Sequence, residues 1–139
     1  MYVGVNSIVS KMEAKDFIIG GWYYHKEKNM DGSPRICAEK VDLDIFKCIL
    51  DYTNEYFEAK DYYPIPISED ILEKNGWTLL AYFGGEDYWS ENGEFHLPYN
   101  KGQYRIIIHG IVIKITYVHE LQRVLRCCGL NDIADNFKI

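Results

Sequence analysis

Much that would announce a function is missing from this chain. None of its four cysteines, Cys37, Cys48, Cys127 and Cys128, stands in a C-x-x-C spacing, so neither a cysteine metal knuckle nor a paired redox motif is encoded. No G-x-S-x-G elbow supports a serine nucleophile. Gly20-Gly21 and Gly84-Gly85 are not followed by helical patterns, which excludes the usual phosphate cradle and leaves both as bends. The longest apolar stretch, Ile106 to Ile115, is broken by His109, Gly110 and Lys114 and is too short to span a bilayer. No basic region followed by an apolar run marks a signal peptide. Positive charge is scarce as well: Lys and Arg total 15 against 21 Asp and Glu, a net charge of −6. A general nucleic-acid binder carries a basic face, so that class is not expected, although a local basic pocket remains open. The expectation is a soluble, cytoplasmic, reduced protein with no membrane partner.

What is abundant is aromatic. Twelve Tyr, six Phe and three Trp make up 15% of the 139 residues. Tyrosine has an apolar body and a polar tip, which suits half-exposed sheet faces and interfaces. The length fits a single domain over 1–139 that buries about two thirds of its unfolded surface.

The stretch Tyr62 to Trp77 organises the reading. Pro64 and Pro66 fix φ and remove two backbone donors, so this lead-in is extended and cannot lie centrally in a sheet. Ser68 can cap a helix with Glu69 and Asp70 in its first turn, Ile67 and Leu72 form a hydrophobic staple, and Gly76 suits a left-handed C′ residue. A short corner helix over Ser68–Asn75 follows.

Around it the pattern is strand-like. Phe17 to His25 reads as a first strand, Asp31-Gly32 as a hairpin turn, and Ile36 to Leu43 as the returning strand. Residues 44–52 fit either a helix, through Ile45, Cys48, Ile49 and Tyr52, or a buried strand. Strand is preferred because both neighbours are strand-like and no cap is evident beyond Asp44. Asp51 to Glu55 reads as a turn and Tyr56 to Ala59 as a short strand. Trp77 to Phe83 is a further strand, and hairpins at Asn92-Gly93 and His109-Gly110 build a four-strand meander after it. Thr116 can cap a final amphipathic helix over Tyr117–Cys128, with Val118, Leu121, Leu125 and Cys128 as its stripe and Gly129 as its end. Leu130 to Ile139 adds a short helical turn or frays. The fold class is α+β: a strongly twisted antiparallel sheet, open or curled into a small partly open barrel, with one C-terminal amphipathic helix packed on it and the short helix at a corner.

Three segments together resemble a family of small uncharacterised proteins from Bacteroidales genomes and their phages. They are Ile19-Gly20-Gly21-Trp22, the run Tyr63-Pro64-Ile65-Pro66-Ile67-Ser68-Glu69-Asp70-Ile71-Leu72 with Asn75-Gly76, and Ile115-Thr116-Tyr117-Val118-His119-Glu120-Leu121-Gln122. Family members run from I-G-N-W-V through P-I-P-L-T-E-E to K-Y-V-H-Q-L-Q in the same order, and start near the equivalent of Met12-Glu13-Ala14-Lys15-Asp16. Residues 1–11 then read as an N-terminal extension. This chain departs at Gly21, where the family has Asn, and at Cys127-Cys128-Gly129-Leu130. The resemblance implies a phage or phage-like origin and carries over no functional residues.

No catalytic constellation is expected. His119 and Glu120 are neighbours on a helix and point about 100° apart, which suits a boundary histidine beside an exposed acid. His25, His96 and His109 lie on or near turns without a second ligand at helical or strand spacing, so neither a metal nor another cofactor is expected. The remaining candidates are aromatic: Trp22, Tyr24, Tyr63, Trp89 and Tyr99, with Arg123 as an anion partner, could bind a nucleotide-like ligand by stacking. Sheet packing is the competing role for all five rings. The leading expectation is an accessory protein that acts by binding, blocking a host protein such as a defence component. A small-molecule binder that sequesters a nucleotide signal is the alternative, and an enzyme comes third.

Overall fold

The computed structural model describes residues 12–51 and 57–139. The chain divides into two compact units, one ending at Ile65 and the other starting at Pro66. Both are α+β.

In the first unit, β1 (Gly21–Lys28) pairs antiparallel with β2 (Pro34–Val41) on one side and β3 (Tyr62–Pro64) on the other. The first strand starts at Gly21 rather than Phe17, because Ala14–Asp16 forms a 3-10 turn and Gly20 takes φ 84° ahead of the strand. Gly21 is required by space: a Cβ there would stand 2.6 Å from Ile18 Cγ1. The proline lead-in lies where its missing donors permit, with Pro64 ending an edge strand.

Residues 44–50 are helical, which corrects the strand reading. Helix α1 (Leu43–Leu50) starts from Asp42, whose Oδ1 accepts from the Ile45 N–H at 2.8 Å. That cap lay inside the stretch assigned to the preceding strand, and it satisfies one of the orphan donors of the first turn. Ala59–Asp61 is a 3-10 turn and not strand; Tyr56 and the turn before it fall outside the described residues. The core of the unit gathers Met12, Phe17, Tyr23, Val41, Ile49 and Tyr62.

The second unit opens with the corner helix as expected. In α2 (Glu69–Lys74), Ser68 Oγ accepts from Ile71 N–H at 3.2 Å, and Ile67 and Leu72 are both buried. Gly76 at φ 78° lets Gly76 N–H reach Glu73 O and Trp77 N–H reach Leu72 O, closing the helix as a Schellman motif. Strands β4 (Thr78–Tyr82), β5 (Gly85–Trp89), β6 (His96–Asn100), β7 (Gln103–Ile108) and β8 (Ile111–Ile115) then form one antiparallel meander in sequence order. It is an open sheet with β4 and β8 as its edges, so the barrel option does not hold.

Helix α3 (Val118–Cys127) follows, started by Glu120 rather than Thr116. Glu120 Oε1 reaches back to the backbone N–H groups of Thr116 and Tyr117 at 3.2 and 2.9 Å. A last helix, α4 (Asn131–Asp135), buries Ala134 and is followed by buried Phe137. Asn75 ties its own helix to the chain beyond α4, donating to Lys138 O and accepting from Lys138 N–H. Among the described residues no helix is long and apolar enough to cross a membrane.

Burial pushes the Tyr88 hydroxyl pKa up to about 12 and that of Tyr104 upward as well. A raised pKa in the folded state means that stability is complete below the unfolded value near 10 and is lost as pH rises through the folded one. Thermal melts should therefore show Tm falling between about pH 10 and 12. The fall should be shallower in Tyr88→Phe.

Candidate functional site

Pairing registers decide which side chains share a surface. In the second unit the buried face of the sheet carries Tyr88, Leu97, Tyr104, Ile106 and Ile115. Alternation then places Leu80, Tyr82, Asp87, Trp89, His96, Pro98, Arg105, Ile107, Val112 and Lys114 on the opposite face.

That opposite face mixes apolar and charged side chains and is partly open; apolar side chains of the edge strands are exposed on the buried face too, at Leu79, Ile111 and Ile113. Leu80 is 50% exposed, Tyr82 55%, Ile107 65% and Val112 55%. On β5 the Asp87 carboxylate is buried and held on both oxygens: Tyr82 O–H donates to Oδ1 at 3.0 Å and His96 Nδ1 lies 3.2 Å from Oδ2. The hydrogen bond to Asp87 raises the Tyr82 hydroxyl pKa. Tyr82 lies over Gly85, where a Cβ would stand 3.3 Å from its hydroxyl oxygen. Trp89 stacks on His96 with centroids 4.9 Å apart. Tyr82, Pro98, Lys101, Arg105, Ile107 and Val112 line a shallow depression of about 670 Å³. Arg105 and Lys114 are direct cross-strand partners on this face.

The first unit segregates its charges. One face of its sheet holds Trp22, Tyr24, Lys26 and Lys28 on β1, Lys40 on β2 and Tyr63 on β3, with Tyr24 directly opposite Tyr63. The other face holds both acids of the sheet, Glu27 and Glu39, around His25. His25 is 1% exposed, and its ring lies parallel to Tyr62 at 4.2 Å. Its Nδ1 stands 3.1 Å from Glu27 Oε1 and 3.0 Å from Glu39 Oε2. Burial pushes the Glu39 carboxyl pKa up, but hydrogen bonds from His25 and Tyr62 outweigh it and the net direction is down. Burial and the bond to Glu39 raise the Tyr62 hydroxyl pKa strongly. Among the described residues, His25, Glu27 and Glu39 are the group whose ligand atoms all lie within 4.8 Å of one another and could hold a metal ion.

The six candidates from the sequence are therefore divided. Trp22, Tyr24 and Tyr63 share one face of the first unit, each half-buried. Trp89 belongs to the open face of the second unit. Tyr99 lies on the inward side of that sheet, pairing with Tyr104 and donating to Glu69 Oε1 at 2.9 Å, so it is part of the framework there. Arg123 is exposed on α3. Leu80, Ile107 and Val112 were missed because apolar strand residues read as core. The available signal was Ile111-Val112-Ile113, an unbroken run that puts apolar side chains on both faces of one strand.

No protein-family model, curated protein or solved structure matches the chain.

If the open face carries no structural load, Leu80→Ser and Val112→Thr should each change stability by within about 0.5 kcal/mol. Leu97→Ala on the buried face should cost about 2–5 kcal/mol. Urea unfolding of the three variants checks the contrast.

Proposed function

We propose that this protein acts by binding another protein through the open face of the five-stranded sheet. One observation carries the reading: Leu80, Tyr82, Ile107 and Val112 remain 50–65% exposed on the same face. Apolar area left in water forgoes about 25 cal/mol per Å² of stabilisation, which a covering partner supplies. The charges on the face indicate the partner's chemistry. Arg105 and Lys114 stand directly opposite each other, an arrangement that destabilises a sheet, and no ion pair among the described residues involves either. A partner surface with an apolar centre and an acidic rim relieves both costs. The resemblance to small proteins of Bacteroidales and their phages supports placing that partner in the cytoplasm of a bacterial host, with defence components among the candidates.

The wild-type protein is expected to retain a host protein from a Bacteroidales lysate. Ile107→Glu and Arg105→Glu are expected to retain at least ten-fold less while melting at the wild-type temperature. Equal retention by both variants would overturn the reading.

A second reading rests on the first unit, whose lysines and aromatics share one sheet face free of acidic strand residues. Such a surface suits a nucleotide, with a base stacked on Trp22 or Tyr24 and the phosphates near Lys26 and Lys28. Saturating nucleotide or cyclic nucleotide should then raise Tm by several degrees, since ligand at a hundred times Kd adds about 2.7 kcal/mol. The rise should vanish in Lys26→Glu/Lys28→Glu. No rise with any nucleotide rejects this second reading.

A further inference from the structure

The geometry points to a binding site for one divalent transition-metal ion on the inner face of the three-stranded sheet, with His25 Nδ1, Glu27 Oε1 and Glu39 Oε2 as ligands. This site is independent of the protein-binding face and lies in the other unit.

The case starts from a mismatch in hydrogen bonding. Nδ1 has one proton to give, yet carboxylate oxygens from two residues stand at 3.0 and 3.1 Å from it. Only one of the two contacts can be a full hydrogen bond, and the other brings a lone pair towards an occupied position. The same separations are ordinary around a cation. Two ligand atoms about 2.1 Å from one ion and at right angles to each other stand about 3 Å apart.

The surroundings are those of a supported ligand set. The second oxygen of each carboxylate is already engaged: Arg35 Nε and Nη2 donate to Glu27 Oε2 at 3.0 and 2.6 Å, and Tyr62 O–H donates to Glu39 Oε1 at 2.7 Å. Each acid thus turns its remaining oxygen towards Nδ1, with its orientation held from behind, as outer donors do around bound metals. The imidazole is fixed by stacking, Tyr62 at 4.2 Å and Phe57 at 5.8 Å. Its Nε2 has no hydrogen-bond partner among the described residues, so with Nδ1 on the ion the Nε2–H is a buried unpaired donor, a cost that the ion's binding must exceed. Charge favours a cation as well: two carboxylates face one arginine, an excess of one negative charge.

The donor set selects the class of ion. One imidazole nitrogen with two carboxylates suits manganese, iron, cobalt or zinc, and the nitrogen disfavours magnesium and calcium. The ligands come from adjacent strands, His25 and Glu27 on β1 and Glu39 on β2, so the site is built on the most extensively paired part of the unit.

Calorimetric titration of chelator-treated protein with Mn²⁺ and with Zn²⁺ tests this directly. Cys37 stands directly opposite His25 in the strand register, and Cys127 and Cys128 are exposed in the other unit; these thiols compete for zinc, so the titration is run on a Cys37→Ser/Cys127→Ser/Cys128→Ser background. One ion per chain is expected, with Kd in the micromolar range or tighter and a higher Tm on loading. Glu27→Gln and Glu39→Gln should each weaken Kd at least ten-fold, and Tyr62→Phe, which removes only the outer donor, by about ten-fold. Folding of each variant is followed by circular dichroism, and the two single Glu variants keep the test usable if either Tyr62→Phe or a His25 substitution fails to fold. Absence of saturable binding in the folded parent overturns the site and leaves an internal hydrogen-bonded cluster. Binding that Glu27→Gln and Glu39→Gln leave unchanged overturns it equally.

Discussion

Strict alternation of side chains along a strand is the constraint on which both units depend. β1 shows it most clearly. Gly21, Tyr23 and His25 are buried, and the residues between them face the other way. A shift of one position would send His25 outward and bring a lysine into the core, so the hydrophobic pattern pins the register. Because β2 and β3 pair with β1 residue by residue, the same division passes to them. Both surfaces of interest in this unit, the lysine–aromatic face and the histidine–carboxylate cluster, are the two sides of that one rule.

The second unit applies the rule with a different outcome. Its inward face collects large side chains, with Tyr88, Leu97 and Tyr104 almost fully buried. Its outward face keeps Leu80, Ile107 and Val112 in water while burying the Asp87 carboxylate on β5. Asp87 is buried with two partners on its oxygens, while Leu80 and Ile107 stay half exposed or more. A sheet selected only to fold would gain by exchanging these characters.

Local signals were readable from the amino acids alone; contacts across the chain were not. The corner helix could be read in full because Ser68, Ile67, Leu72 and Gly76 act within one short segment. The same holds for the turns at Asp31-Gly32 and His109-Gly110. Helix α1 was misread because Ile45, Cys48 and Ile49 satisfy two periodicities and its cap, Asp42, lay inside a strand assignment. The histidine–carboxylate cluster was only half legible: Glu27 lies two positions from His25, a strand spacing that the sequence reading overlooked because it ended the first strand at His25. Glu39, by contrast, is 14 positions from His25 and Tyr62 is 23 from Glu39, and only strand pairing brings those in. Three of the five aromatic candidates converge for the same reason, through the β1–β3 contact. Tyr99 could not be told from a surface tyrosine without knowing which way β6 faces.

The meander has a kinetic consequence. Every strand of the five-stranded sheet pairs with its neighbour in sequence, so each closes a short loop and the sheet can grow hairpin by hairpin. In the first unit, Tyr23 must find Pro64 across a helix and a long connection. The two halves of one chain therefore differ in the entropy of their search. The half with the shorter loops to close is the one that displays aliphatic side chains, and from the moment its last hairpin closes those side chains stand in water.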